Sequence, residues 1–246
     1  MRKKRKTMLI TIISVSYNCK KDVKKTIMSL TEQTYKDFEY LVIDGNSSDG
    51  TLEEIRSYQS LFDNMSVISE PDKGIYDAMN KGVNMASGKY IFFLNFGDQF
   101  FDADVLKTAA EKMKSNADIY YGDIEKNGKV VTQKNKVTLF FGIFREYMIC
   151  HQSIFAKKEL LKKYPFDLRY RLCADRDWLI KVLRDKYNVE YFNKTICKYD
   201  INGQSSNPQK FMEESKAISF KYGGNKARIF IAVKRFLSGI LKVRKQ

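Results

Sequence analysis

The chain has 246 residues, enough for one large α/β domain or one domain with an appendage, and its 43% hydrophobic and 13% aromatic content excludes a disordered polymer. Its net charge of +15 sits at the ends: Arg2 to Lys6 carries five positive charges, Lys221 to Gln246 carries eight and no acid, and residues 7–220 are left at +2. That placement excludes a basic nucleic-acid-binding body and points to an anionic surface, membrane lipid ahead of nucleic acid.

Met8 to Val15 reads as a strand buried on both faces. Lys21 to Gln33 reads as a helix, with Val23, Ile27 and Leu30 on one face. Phe38 to Ile43 is the next strand and runs into the loop Asp44-Gly-Asn-Ser-Ser-Asp-Gly50. Thr51 to Ser60 is helical with Asp49 as its N-cap, and Met65 to Ser69 is a third strand, followed by Glu70-Pro-Asp-Lys-Gly74. Ile75 to Ala86 is a helix ending at Ser87-Gly88, and the apolar run Ile91 to Leu94 stops abruptly at Asn95-Phe-Gly-Asp98. This β-α-β-α-β-α-β alternation predicts a mostly parallel sheet covered by helices. Further on, Ala103 to Ser115, Ala156 to Lys163 and Asp175 to Lys186 read as helices. Ile119 to Tyr121 and Val130-Val131 read as strands about an Asn127-Gly128 turn, and Val189 to Phe192 as another. No Pro/Gly/Ser-rich break separates the halves.

The four cysteines, Cys19, Cys150, Cys173 and Cys197, form no CxxC pair, and there is one histidine, which leaves no zinc site of ordinary spacing. Reduced thiols in a cytosolic setting follow. No apolar run reaches the length of a membrane span.

Four polar clusters fall at the carboxyl ends of successive strands: Ser16-Tyr17-Asn18, Asp44 to Gly50, Pro71 to Gly74, and Asn95 to Asp98. In open α/β sheets that rim is where ligands bind. Each cluster alone is ordinary turn chemistry. Together they describe one site. Asp44 and Asp72 suit a base N–H or a ribose hydroxyl, and Asp98 suits a hard divalent cation. No GxGxxG follows the first strand, so a nucleotide diphosphate fits better than a dinucleotide.

With these motifs the chain resembles the family 2 glycosyltransferases of GT-A fold. The matching stretches are Val15-Ser-Tyr-Asn18, Ile43 to Thr51, Glu70 to Gly82, Ala86-Ser-Gly88 and Leu94-Asn-Phe-Gly-Asp98. The subgroup it looks most like is the bacterial capsule, O-antigen and colanic-acid type. The resemblance implies a single Rossmann-like domain over 8–222, with a nucleotide-sugar half at about 8–100 and an acceptor half at about 101–222, between a basic extension (1–7) and a basic C-terminal helix (223–246). It implies an inverting, hexosyl-transferring enzyme that uses a nucleotide-sugar donor, UDP-linked by expectation, and Mg²⁺ or Mn²⁺. Ser16, Tyr17, Asn18, Asp44, Asp72, Lys73 and Asn95 would contact the donor. Asp98 would hold the metal as the last acid of a DxD-type motif whose first acid is here Asn95. His151, the sole histidine, would lie near metal, diphosphate or acceptor, and is otherwise a structural imidazole. Ala174-Asp-Arg-Asp-Trp178 matches the motif carrying the catalytic base and selects Asp175, with Asp177 as fallback and Asp177 and Trp178 on the acceptor side. Asp175 is also placed to cap a helix, and Trp178 to sit in the core. Lys198-Tyr-Asp200 and Gly203-Gln-Ser-Ser206 resemble a loop that closes over donor.

From Lys226 to Gln246, Ile229, Val233, Phe236, Leu237 and Ile240 recur at helical spacing, with Arg228, Arg235 and Lys242 on another face. That is a basic amphipathic helix, the pattern of an interfacial membrane segment, and the family resemblance implies the inner face of the cell membrane. The alternative, placed second, is that its apolar face packs on the body or on a second copy, as a homodimer. The expected acceptor is a glycan or a lipid-linked saccharide. The competing class is a degenerate fold that binds nucleotide or glycan without transfer, with Asn95 as its best support.

Overall fold

Seven consecutive buried residues, Ile10–Ser16, form strand β1, and the sheet grows from both its edges. The computed structural model describes residues 8–135, 138, 143, 151–200 and 207–243. Arg2 to Lys6, Cys150, Gly203-Gln-Ser-Ser206 and Arg244-Lys245 lie outside these residues, as do the side chains of Arg228, Val233, Arg235, Phe236, Leu237, Ile240 and Lys242.

The expected alternation is present: β1, α1 (Lys20–Thr31), β2 (Phe38–Asp44), α2 (Thr51–Ser57), β3 (Met65–Ser69), α3 (Ile75–Met85) and β4 (Tyr90–Phe93). There follow β5 (Gln99–Phe100), α4 (Val105–Lys112), β6 (Ile119–Lys126), β7 (Lys129–Val131), β8 (Ile154–Lys157), α5 (Lys158–Lys163), α6 (Ala174–Arg184), β9 (Val189–Lys198) and α7 (Pro208–Val243). The sheet order is β3-β2-β1-β4-β8-β6-β9-β5, with β7 hairpinned onto β6. β1, β2, β3 and β4 pair in parallel, β8 enters antiparallel between β4 and β6, and β6 and β9 resume the parallel direction.

Period-2 alternation divides the core between the two faces. Ile10, Ile12, Tyr40, Val42, Tyr90 and Phe92 pack under α1, α2 and α4. Ile13, Leu41, Ile43, Ile91 and Phe93 pack under α3, α5 and α6. Helices on both faces explain why β1 and β4 are buried along their whole length.

Several sequence-based boundaries move. The expected helix Ala156 to Lys163 begins as strand β8, because Ile154–Lys157 pairs on both edges, and only Lys158–Lys163 is helical. The strand expected over Val189 to Phe192 continues to Lys198, past Asn193 at φ 40°. The tail helix begins at Pro208, and its regular geometry breaks at Gly224 (φ 50°, ψ −136°). No helix among the described residues is long and apolar enough to cross a membrane.

Candidate active site

The strand register brings the first three clusters level. Ser16 pairs with Asp44, and Asp44 with Ser69, so Asp44 lies between two hydroxyls at the ends of β1 and β3. Its carboxylate accepts from Ser16 Oγ (2.8 Å), Ser69 Oγ (2.6 Å), Ser47 N (3.0 Å) and Ser47 Oγ (2.5 Å). Burial pushes its pKa up, but the donors from Ser47, Ser69 and Ser16 outweigh burial and hold it below the usual carboxylate range. Asp44 thus organises the rim, and a base contact would require one of these serines to release it.

Asn18, at φ 48°, stitches the neighbouring loop to the rim: its Oδ1 accepts from Ser48 N (2.9 Å) and its N donates to Ser47 Oγ (2.9 Å). Tyr17 beside it is 54% exposed. The N-cap of α2 is Gly50 (φ 87°), one residue after the expected Asp49, because the chain enters the helix through the left-handed region; Asp49 accepts instead from the N–H of Thr51 (3.0 Å), the first residue of α2. Asp72 reaches across to Gly45, where a Cβ would collide with its carboxylate, and its other oxygen accepts from Gly74 N (2.7 Å). Lys73 is exposed, and its N–H donates to Asp77 (2.9 Å).

At the end of β4 the chain turns sharply through Gly97 (φ 109°). Thr26 on α1 fixes that turn, accepting from Gly97 N (2.9 Å) and donating to Asp98 O (2.7 Å). Asp98 is 4% exposed. Burial drives its pKa up to about 6, against the opposing pull of the Asp200 N–H (2.8 Å), the neighbouring His151 and the Gln152 side chain.

His151 joins this rim to helix α6. Its Nδ1 lies 3.0 Å from Asp175 Oδ2 and its Nε2 lies 3.3 Å from Asn95 Nδ2. An ionised Asp175 only accepts, so Nδ1 carries the proton and Nε2 accepts from the amide. Tyr76 on α3 donates to Asp175 Oδ1 (3.0 Å). Burial pushes the Asp175 pKa up, but His151, the Arg176 N–H and Tyr76 outweigh it and leave a carboxylate below its usual range. Asp175 is therefore ionised at neutral pH, 23% exposed at its side chain, and placed in the first turn of α6.

Among the described residues no three His, Cys, Asp or Glu side chains cluster to hold a metal alone. Asn95 Oδ1 is nevertheless a buried oxygen without a partner, close in sequence to the buried Asp98 carboxylate. One carboxylate and one amide oxygen, completed by substrate phosphates, fit Mg²⁺ or Mn²⁺. His151 has both ring nitrogens engaged, which places it beside Asp175 in this geometry and leaves Asp98 and Asn95 as the side chains that would hold a cation.

Two expected acceptor-side residues sit elsewhere. Asp177 is fully buried and faces α7, paired with Lys181 (2.7 Å) and Lys221 (2.7 Å) and accepting from Tyr222 OH (2.9 Å). Residues two apart on a helix point to different sides, so Asp177 does not share the space of Asp175. Trp178 is 3% exposed and packs against Phe166 (6.2 Å between ring centroids), a core position with no face to offer a sugar. The sequence argument missed Tyr76, Gln152 and Thr26. Gln152 adjoins the only histidine, but nothing in a linear reading connects Tyr76 to a carboxylate 99 positions away.

The family model described as Glycosyl transferase family 2 matches residues 11–192. Proteins described as PGL/p-HBAD biosynthesis glycosyltransferases of Mycobacterium bovis and Mycobacterium tuberculosis are 30% identical over 204 residues, covering 81% of this chain and 79% of theirs. An uncharacterized glycosyltransferase of Methanocaldococcus jannaschii is 28% identical over 208 residues, covering 78% of this chain and 71% of its own. Among solved structures, S. aureus TarS 1-349 in complex with UDP superposes with a TM-score of 0.69 at 20% identity, over 90% of this chain and 68% of that one. The mannosyltransferase PcManGT of Pyrobaculum calidifontis, in complex with GDP-Man and Mn²⁺, gives 0.65 at 15% identity, over 98% and 80%. At these identities the structural likeness establishes the fold.

Proposed function

This chain belongs to glycosyl transferase family 2, and from that membership we propose that it is an inverting enzyme moving a sugar from a nucleotide-diphosphate donor, UDP-linked, to a glycan or lipid-linked acceptor. The observation that carries the proposal is Asp175, an ionised carboxylate held by His151 and Tyr76 at the rim where four strand-end loops converge. Inversion needs a base on the acceptor side. Asp175 takes the hydroxyl proton as the acceptor oxygen attacks C1 of the sugar and the bond from C1 to the diphosphate breaks. His151 and Tyr76 hold the carboxylate in place, and Asn95 fixes the imidazole tautomer from the other side. Asp98 and Asn95 would hold the divalent cation, which offsets the charge growing on the departing diphosphate. Asn18, Asp72 and the Ser47-Ser48 loop line the donor side, and Asp44 keeps that loop in shape.

The UDP preference rests on the UDP complex of a structural neighbour, and a GDP-Man complex of another keeps guanine donors as the comparison to test. The acceptor class rests on relatives named for PGL/p-HBAD biosynthesis and on the two basic ends. We place the enzyme peripherally on the inner face of the cell membrane, in assembly of cell-surface glycans. The helix break at Gly224 supports a boundary between the catalytic domain and the basic tail segment. A non-catalytic nucleotide-binding protein is the rival reading, favoured by an amide where an acid is usual.

A thermal-shift panel of nucleotide sugars with and without Mn²⁺ tests donor binding. Ligand at a hundredfold over its Kd adds about 2.7 kcal/mol, roughly 5–10 °C for a chain of this size. A UDP-sugar should give that shift with Mn²⁺, and the absence of a shift with every nucleotide sugar would remove the proposal.

A further inference from the structure

We propose that Glu214, on the C-terminal helix α7, is a positioning residue for Asp175. It would hold the peptide segment leading into α6 and so fix where the carboxylate meets His151. The inference deepens the reading of Asp175 as the base and rests on it.

Glu214 Oε1 accepts from Arg171 N (2.9 Å), and its Oε2 accepts from Leu172 N (2.8 Å) and Cys173 N (3.1 Å). Three successive backbone N–H groups thus converge on one carboxylate, immediately before the first residue of α6. Such a run of amides at a helix start is an anion-binding arrangement, and here the chain supplies its own anion. Asp175 follows Cys173 by two residues, so a shift of this segment carries the base with it.

The next two residues repeat the attachment. The Arg176 guanidinium, 6% exposed, donates to Ser215 O (2.6 Å), Ser215 Oγ (2.5 Å) and Ser219 Oγ (2.8 Å). Asp177 binds Lys221 and Tyr222 on the same helix. The fully buried apolar seam between α6 and α7 is small, formed by Cys173, Ile180 and Ile218. Apolar contact is non-directional, whereas hydrogen bonds fix register. The polar contacts therefore set how α6 sits, and Glu214 is the one that grips the backbone nearest the base.

The sole histidine, His151, reports on Asp175 directly, because its imidazole signals in NMR carry no overlap from other histidines. The full-length chain is compared at one pH as wild type, Asp175→Asn and Glu214→Gln. Gln keeps one acceptor oxygen but puts an NH₂ group against a backbone N–H where the second oxygen was, and it removes the charge, so the three-amide grip is broken. The Glu214→Gln spectrum should move the His151 Nδ1 signal most of the way to its Asp175→Asn position, while affinity for UDP with Mn²⁺ stays within about twofold, since the donor contacts lie on other strands. A folded Glu214→Gln protein with wild-type His151 signals would overturn the proposal. Hydrogen exchange on the wild type needs no variant: the amides of Arg171, Leu172 and Cys173 should exchange as slowly as those inside α6, and exchange at the rate of exposed loop amides would equally overturn it. An Asp175→Asn protein that keeps full transfer activity would instead remove the base reading, and would leave the grip of Glu214 on this segment to be judged by exchange alone.

Discussion

Two carboxylates at this rim are tuned in opposite directions. Asp175 is held below the usual range by donors that favour its charge, so it is unprotonated at neutral pH, the state from which a general base acts. Asp98 is raised to about 6 because burial favours its neutral form. Raising an acid's pKa on folding means the free protein loses stability as pH rises between the ordinary carboxylate value and about 6. A cation at Asp98 must displace that proton. Mn²⁺ affinity in the presence of UDP should therefore rise by about tenfold per unit as pH climbs toward 6, then level off. Calorimetry across that range checks this, and in Asp98→Asn both the slope and most of the affinity should vanish. The residue types at both positions were legible from sequence. Their environments were not, because the partners of Asp98 at residues 152 and 200 and of Asp175 at residues 76 and 151 come from remote strands and helices.

At the scale of elements, the rim depends on loops that touch without side chains between them. Gly45 is the clearest case, since a Cβ there would meet the Asp72 carboxylate. That carboxylate is the far end of a rotatable side chain, so Gly45→Ala should cost little stability, under about 1 kcal/mol. It should still displace Asp72 and weaken UDP binding by about tenfold, the worth of one hydrogen bond to a charged group. Calorimetry and a melting curve on the same variant separate the two effects. β1, β2, β3 and β4 were legible because each is a short apolar run closed by a turn cluster, and their loops fell where expected. β8 was not, because Ile154 to Lys157 becomes a strand only by pairing with β4 and β6, each far away in sequence. β9 was truncated in the sequence reading because Asn193 and Lys194 interrupt its pattern, while pairing to β6 carries it through. Asp177 and Trp178 shared a motif with Asp175, but helical geometry sends them to the α7 contact and to the core.

Across the whole molecule, the near-neutral body carries the chemistry and the excess charge is left at the termini. Clustered lysine and arginine add about 1 kcal/mol each near an anionic surface, and salt weakens them. Full-length protein should co-sediment with anionic liposomes at low salt, and a chain ending at Tyr222 should do so much less while still folding, because Glu214, Ser215 and Ser219 remain to hold α6. Equal sedimentation of both would remove the tail's role. The central claim concerns the body: a family 2 glycosyltransferase whose Asp175 deprotonates the acceptor. Its most direct test is UDP release from the nucleotide sugar that gives the thermal shift, with and without a membrane extract as acceptor source, for wild type and Asp175→Asn. The account predicts acceptor-stimulated release by wild type, a loss of about 10²–10⁴-fold in Asp175→Asn, and unchanged affinity for the donor with Mn²⁺. Asp175→Asn turning over at the wild-type rate would contradict it.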